Sequence, residues 1–176
     1  MKLVILPGNN KSNKEWADAA AEAFASSFSD IYVQSYSHWD TDEEFINFDT
    51  ELEKLIKNVG SDDCIVVAKS AGSMLSIYGV HKNKFHPKKC VFVGLPVRFA
   101  EENNFELAQW IQSYDIPTIV IQNSHDPVTS FEELKTAFDH LNKTSIELIE
   151  INGNDHKYSD FKLIKEKIGD FFTGTK

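Results

Sequence analysis

The sequence predicts an α/β fold, in which a minimal, doubly wound and mostly parallel sheet of about six strands carries helices on both faces. Two observations lead to it: strand-length apolar runs, several of them apolar throughout, recur along the chain, and stretches of helical periodicity separate them. Strands that are apolar on both sides suit a parallel sheet that is covered by helices. In such sheets ligands bind at the carboxyl ends of the strands.

The strands are predicted from the apolar runs, in the order Lys2–Leu6, Ile31–Tyr36, Cys64–Ala68, Cys90–Gly94, Thr118–Gln122 and Ile146–Ile151. Capping-box patterns, in which a glutamate follows a hydroxyl residue by three positions, predict helix starts at Ser12, Thr41 and Thr129. The apolar residues that follow, Trp16 and Phe45 among them, are expected to pack in the core. The last helix starts near Ser159, and a short helix at Phe105–Tyr114 follows Leu95–Asn104, the longest irregular stretch.

Length and charge limit the function classes. The 176 residues suit one domain, 1–176, and 18 basic against 27 acidic residues give a net charge of −9. This charge argues against nucleic acid and anionic membranes as partners. No apolar run is long enough for a membrane span or a secretory signal.

Cys64 and Cys90 are expected to be buried thiols in a reducing cytoplasm, and no metal or cofactor motif is found.

Three polar residues follow predicted strands in the chain order Ser, Asp, His. Ser70 lies in Ala68-Lys69-Ser70-Ala71-Gly72, which matches a nucleophile elbow whose flanking residues must be small because the turn is tight. Asp126 follows the fifth strand and His156 the sixth. Each alone is commonplace, but this order on successive strand ends is the one expected for an α/β hydrolase.

The chain resembles the α/β-hydrolase superfamily over nearly its whole length, and is most similar to the small, nearly lidless serine hydrolases of the retinoblastoma-binding-protein type. The resemblance rests on four segments: Leu6-Pro7-Gly8-Asn9-Asn10 with Trp16 following, the Ser70 elbow, Ile116-Pro117-Thr118 with Asp126-Pro127-Val128, and Gly153 to His156. Two departures are Ala68, where the family more often has Gly, and Pro7, where many members have His.

The resemblance implies a role for each matched position. Ser70 corresponds to the nucleophile, Asp126 to the acid and His156 to the base, and the backbone amides of Asn9 and Ala71 to the oxyanion donors. The activity implied is hydrolysis of carboxylic esters or thioesters of small acyl substrates through an acyl-enzyme. His125, His38 and Asp155 are weaker candidates for the base or the acid.

Four further residues are candidates for substrate contact: Asn10, Lys69, Leu95 and Arg98. Lys69 is read either as a surface side chain or as a charge that favours acidic substrates, and Arg98 either as solvated or as a carboxylate ligand. The short segment Leu95–Tyr114 predicts an open, shallow site with little selectivity. The alternatives to a hydrolase are a non-catalytic binding module of the same fold, for which a protein partner is conceivable but not indicated, and an acyltransferase.

Overall fold

The computed structural model describes residues 1–141 and 143–174. Within them, six strands form one parallel sheet in the order β2-β1-β3-β4-β5-β6. The strands are β1 Lys2–Leu6, β2 Ile31–Val33, β3 Cys64–Lys69, β4 Lys89–Val93, β5 Thr118–Asn123 and β6 Ile146–Ile151. The predicted α/β class and the strand positions are confirmed, and β2 is shorter than predicted.

Helices cover both faces of the sheet. The helices are α1 Asn13–Phe24, α2 Phe48–Val59, α3 Ala71–His81, α4 Val97–Glu102, α5 Leu107–Gln112, α6 Phe131–Asp139 and α7 Phe161–Ile168, and a 3-10 turn spans Ser37–Asp40. Apolar residues of α1 and α7 form one core layer, and those of α2 to α6 form the other. Alternate residues of β3 point into the two layers, which explains why that strand is apolar throughout.

The helix start predicted at Thr41 is wrong. The helix begins instead at Phe48, where the Asn47 side chain accepts a hydrogen bond from Thr50 N–H at 3.0 Å. Thr41 does not cap because its hydroxyl bonds to the carbonyl of His38 and the N–H of Glu43. The residues between Thr41 and Asn47 are therefore an irregular loop, and Phe45 is not in the core but 38% exposed.

Two smaller corrections concern helix ends. The capping box expected at Thr129 lies one residue later, because the side chains of Ser130 and Glu133 make both reciprocal bonds. Ser12 precedes α1 but its side chain makes no capping bond. The stretch Leu95–Asn104, predicted to be irregular, contains α4.

The strand order reverses beside β1. The chain leaves β1 for β2 on one side of it and then returns to place β3 on the other side. The loops after β1 and β3 therefore diverge from neighbouring strand ends and leave a crevice between them, the usual place for a ligand in this type of sheet. Asn9 and Ser70 lie on these two loops.

Candidate active site

Ser70 occupies a strained turn between β3 and α3. Its backbone has φ 50° and ψ −118°, a region that non-glycine residues rarely adopt and that costs about 1–3 kcal/mol. Hydrogen bonds hold the turn, since Ser70 N–H donates to Val93 O at 3.0 Å and Ser70 O accepts from Ser73 N–H at 2.9 Å. The result is a half-buried serine side chain in a cavity above the sheet.

Gly72 explains why small residues follow the serine. A Cβ at this position would collide with the carbonyl oxygens of Leu6 and Pro7, so the first turn of α3 lies directly against the end of β1. This close approach places the start of α3 beside the loop that carries Asn9. The small residues that the sequence pattern requires are therefore needed for packing.

His156 is held by a buried carboxylate. Its Nδ1 lies 2.7 Å from Asp126 Oδ2 and 3.0 Å from Oδ1, and the Asp126 residue is 2% exposed. Burial raises the pKa of the Asp126 carboxyl, but the hydrogen bond and charge of His156 and donors from Tyr158 and Val128 outweigh burial. The net pKa of Asp126 is therefore below its usual value, which favours the ionised form that orients an imidazole.

Tyr158 is a member of this site that the sequence did not reveal. Its hydroxyl donates to Asp126 Oδ2 at 2.5 Å and accepts from Asn123 N–H at 3.0 Å. Its carbonyl accepts from Trp16 Nε1 at 2.8 Å, and its ring meets that of His156 edge to face. A tyrosine two residues after the histidine was the available signal, but one sequence cannot distinguish it from a core aromatic.

Gly94 makes room for these two rings. Its φ is 63°, and a Cβ there would come within 2.6 Å of the Tyr158 ring and 2.8 Å of His156 Cε1. A residue with a side chain at the end of β4 would therefore displace the His156 and Tyr158 side chains, two of the partners of Asp126. The sequence pattern places Gly94 at a strand end but does not indicate this role.

Ser70 and His156 line the same cavity, of about 200 Å³. The Nε2 atom of His156 is buried and has no hydrogen-bond partner among the described residues. The Ser70 hydroxyl and Nε2 do not form a hydrogen bond with each other in this structure. Such bonds are often long before substrate binds, so the free Nε2 in the serine's own cavity is the relevant feature.

Two backbone amides beside Ser70 are free to bind an anion. Among residues 1–141 and 143–174, the N–H of Asn9 and the N–H of Ala71 have no hydrogen-bond acceptor. Ala71 is the first residue of α3, where the helix dipole also favours negative charge. These are the amides that the resemblance assigns to the oxyanion hole.

Asn9 is fixed by the chain that follows β2. Its carbonyl oxygen accepts from Trp39 Nε1 at 2.6 Å and lies 2.9 Å from His38 Nε2. Its side-chain amide donates to Glu44 O at 2.8 Å and accepts from Ile46 N–H at 2.9 Å. His38, a weaker candidate for the base, therefore contacts the oxyanion loop instead. No pattern in the sequence indicates these four contacts.

Lys69 is buried, so the prediction of a surface side chain is wrong. It is 7% exposed, its Nζ donates to Asn13 Oδ1 at 2.8 Å, and it lies 5.8 Å from the Trp16 ring. Burial lowers the pKa of Lys69 to about 8, opposed by the charges of Asp126 and Asp155. The strand that carries Lys69 is covered on both faces, and the Lys69 side chain extends to Asn13 and Trp16 of α1.

Of the other three residues predicted to contact substrate, one lines the cavity and two do not. Asn10 is exposed and lines the cavity. Leu95 is fully buried and Arg98 points elsewhere, so neither lines it. The Arg98 guanidinium bonds to Glu133 at 2.7 Å and to the carbonyl of Pro127, which ties α4 to α6 and to the loop of Asp126.

Neither His125 nor Asp155 takes the place of His156 or Asp126 in this arrangement. His125 is exposed, and its N–H bonds to the carbonyl of Gly153. The Asp155 carboxylate accepts from the N–H of Lys157 at 2.8 Å. Asp126 is therefore the carboxylate that contacts His156.

The two cysteines carry no disulfide, and the described residues form no metal cluster. Cys64 and Cys90 are buried free thiols, as expected. In the described part of the chain, no three histidine, cysteine or acidic side chains cluster as metal ligands would. Among the helices described, none has both the length and the apolar character needed to cross a bilayer.

Solved structures share this fold at low sequence identity. Alpha/beta hydrolase domain-containing protein 10 from mouse matches with a TM-score of 0.69 and 14% identity, over 97% of this chain and 89% of that one. Est1E from Butyrivibrio proteoclasticus, described with ferulic acid bound, matches with 0.71 and 13% over 97% and 87%. A monoacylglycerol lipase from Paleococcus ferrophilus matches with 0.70 and 10% over 97% and 93%.

No family model matches the sequence, and no curated protein sequence matches it. The structural matches nevertheless confirm the predicted architecture: the chain has the α/β-hydrolase fold. At these identities the likeness shows the fold alone.

Proposed function

We propose that this chain, which has the α/β-hydrolase fold, is a serine hydrolase that cleaves carboxylic esters or thioesters of small acyl substrates. One observation carries the proposal. The strained Ser70 turn shares a cavity with the free Nε2 of His156, whose Nδ1 is held by buried Asp126. A histidine in this arrangement can accept a proton on one nitrogen while a carboxylate stabilises the imidazolium through the other.

The reaction would proceed through an acyl-enzyme. As the Ser70 oxygen attacks the acyl carbonyl, its proton passes to His156 Nε2, since a serine hydroxyl is a poor nucleophile without a base. The amides of Asn9 and Ala71 would stabilise the oxyanion that forms. His156 then donates this proton to the leaving alcohol or thiol, and the acyl group stays bound to Ser70. In the second half of the reaction His156 deprotonates a water molecule, which attacks the acyl-enzyme and releases the carboxylic acid.

The neighbouring structures support hydrolase chemistry in this fold. They include a monoacylglycerol lipase and Est1E with ferulic acid, as well as an esterase from Pyrococcus furiosus. Fold alone does not fix function, so the proposal depends on the residues of the cavity and not on these names.

A binding module without catalysis is the second candidate. The observation in its favour is that the Ser70 hydroxyl and His156 Nε2 form no hydrogen bond in the described structure. The two candidates differ in one measurable property, because only a hydrolase needs a reactive serine.

A fluorophosphonate probe separates the candidates. We expect wild-type protein to be labelled at one serine and Ser70→Ala to remain unlabelled, since the phosphonyl group reacts with a serine that a base activates. Ser37→Ala is the matched control, because Ser37 is exposed and away from the cavity, and it should label like the wild type. Folded wild-type protein that takes up no probe would favour the binding module.

A further inference from the structure

The cavity beside Ser70 is lined mainly by apolar side chains and asparagines. Phe45, Met74, Pro96, Phe99 and Val128 form its apolar wall. Three asparagines, at positions 9, 10 and 13, also line it. Apart from His156, no ionisable side chain is among the described residues that line this cavity.

Phe45 reaches this cavity because Asn9 holds its loop. The Asn9 side chain bonds to the carbonyl of Glu44 and to the N–H of Ile46, the residues on either side of Phe45. Ile46 is 6% exposed and anchors the loop in the core. One residue therefore offers its backbone amide to the oxyanion and its side chain to the loop that bears Phe45.

The Phe45 ring meets a second segment of the chain. It lies 5.8 Å from the Phe99 ring of α4, and Phe99 stacks on Phe105 at 6.3 Å. Phe105 in turn contacts Phe48 and Trp110. The apolar wall is thus backed by an aromatic cluster, although Phe45 itself remains partly exposed.

We propose that Phe45 and Phe99 form a selective wall that limits the substrate to neutral esters with a small apolar acyl group. This inference rests on the proposed hydrolase function and names its substrate class. A cavity of about 150 Å³ holds one benzene, so about 200 Å³ accommodates one ring or a chain of about four to six carbons.

The charges in and around the cavity disfavour the binding of acidic substrates. A carboxylate in this cavity would lose its hydration without gaining a cationic partner. Neither of the cations considered for substrate contact lines the cavity, since Lys69 bonds to Asn13 and Arg98 bonds to Glu133. The net charge of −9 also repels anions at long range. This proposal departs from two sequence-based predictions that stay untested: the alternative in which Lys69 favours acidic substrates, and a site with little selectivity.

The size limit is tested with 4-nitrophenyl esters from acetate to decanoate. We expect wild-type kcat/KM to fall about 10-fold between hexanoate and octanoate, and Phe45→Ala to raise the octanoate-to-acetate ratio about 10-fold, because its smaller side chain opens the wall. Glu43→Ala is the control, since this exposed side chain of the same loop makes no cavity contact. An unchanged ratio in Phe45→Ala would overturn the inference.

The charge preference is tested with two acyl groups of similar length. We expect the monoanionic 4-nitrophenyl succinate to be cleaved with a kcat/KM about 100-fold below that of the neutral valerate ester, because its carboxylate must be desolvated. Equal or faster cleavage of the succinate ester would contradict the proposed neutral cavity.

Binding without turnover separates this inference from the proposed function. In Ser70→Ala, ligand-observed NMR should detect phenyl acetate, and the signal should weaken at least about 5-fold in Ser70→Ala/Phe45→Ala but not in Ser70→Ala/Glu43→Ala. If wild-type protein lacks a reactive serine yet this pattern holds, the wall is supported and the hydrolase is not. If phenyl acetate binds equally to all three variants, the wall is disproved whatever the activity.

Discussion

At the scale of single residues, the site depends on a carboxylate that several donors share. Asp126 receives bonds from His156, from the Tyr158 hydroxyl and from the N–H of Val128. A carboxylate with this many donors stays ionised and fixed in one orientation. Tyr158 does not line the cavity, so it would act on the reaction through Asp126 and His156 as a positioning residue.

Replacing Tyr158 by phenylalanine tests that role. The ring remains but Asp126 loses a donor, so we expect kcat on a small ester to fall about 10-fold while KM changes less than about 2-fold. Tyr78→Phe is the matched control, because Tyr78 also donates to an aspartate, Asp49, at 2.6 Å but outside the site. An equal loss of kcat in the two variants would mean that removing any tyrosine–aspartate bond lowers activity, and that Tyr158 has no specific role at the site.

At the scale of elements, the turn between β3 and α3 is strained, and this conformation presents the Ser70 hydroxyl to the cavity. Ser70 is held at φ 50° because β4 on one side and the first turn of α3 on the other fix its backbone groups. Such strain survives where the surrounding structure over-determines it. The backbone conformation, and not the serine side chain, carries the strain.

Two substitutions at Ser70 isolate this strain. We expect Ser70→Gly to be more stable than Ser70→Ala by about 1 kcal/mol, since glycine adopts positive φ without steric cost and this outweighs its greater unfolded-state entropy. Urea unfolding measures the difference. At the exposed helical residue Lys57 the order should reverse, with Gly below Ala by about 1 kcal/mol. The same order at both positions would argue against a strained turn.

At the scale of the whole molecule, the buried cation Lys69 lies inside a protein with a net charge of −9. Burial lowers the pKa of Lys69 from 10.5 to about 8, although Asp126 and Asp155 attract its charge. The unfolded chain therefore binds more protons than the folded chain between about pH 8 and 10.5. The Lys69 contribution to the free energy of unfolding consequently rises with pH across that window.

The comparison with Lys69→Met reveals this contribution. Between pH 7 and 10, wild-type stability should gain about 1–3 kcal/mol relative to Lys69→Met, measured by urea unfolding at each pH. Cys64 and Cys90, whose pKa values burial raises to about 11 and 12, titrate in both proteins and cancel. Lys57→Met, at an exposed lysine, should show a constant difference. A constant difference for Lys69→Met would disprove the buried charge.

Strand positions could be predicted because local pattern determines them. The run from Cys64 to Ala68 is apolar at every position, and only a strand covered on both faces suits it. Helix starts were less predictable, because other hydrogen bonds compete with a capping box. At Thr41 local turn bonds to His38 and Glu43 occupy the hydroxyl. A long-range bond from Ile46 N–H to Asn9 then holds the loop, and Phe45, expected in the core, lies at the cavity.

The sequence by itself determined the alternation of strands and helices and the order of Ser70, Asp126 and His156, because periodicity and chain order are local properties. Only the tertiary structure decided that Tyr158 reaches Asp126, that Asn9 holds the loop of Phe45 and that Lys69 is buried. These contacts join residues between 32 and 56 positions apart. Packing fixes such pairs, and no short-range pattern in the chain records them.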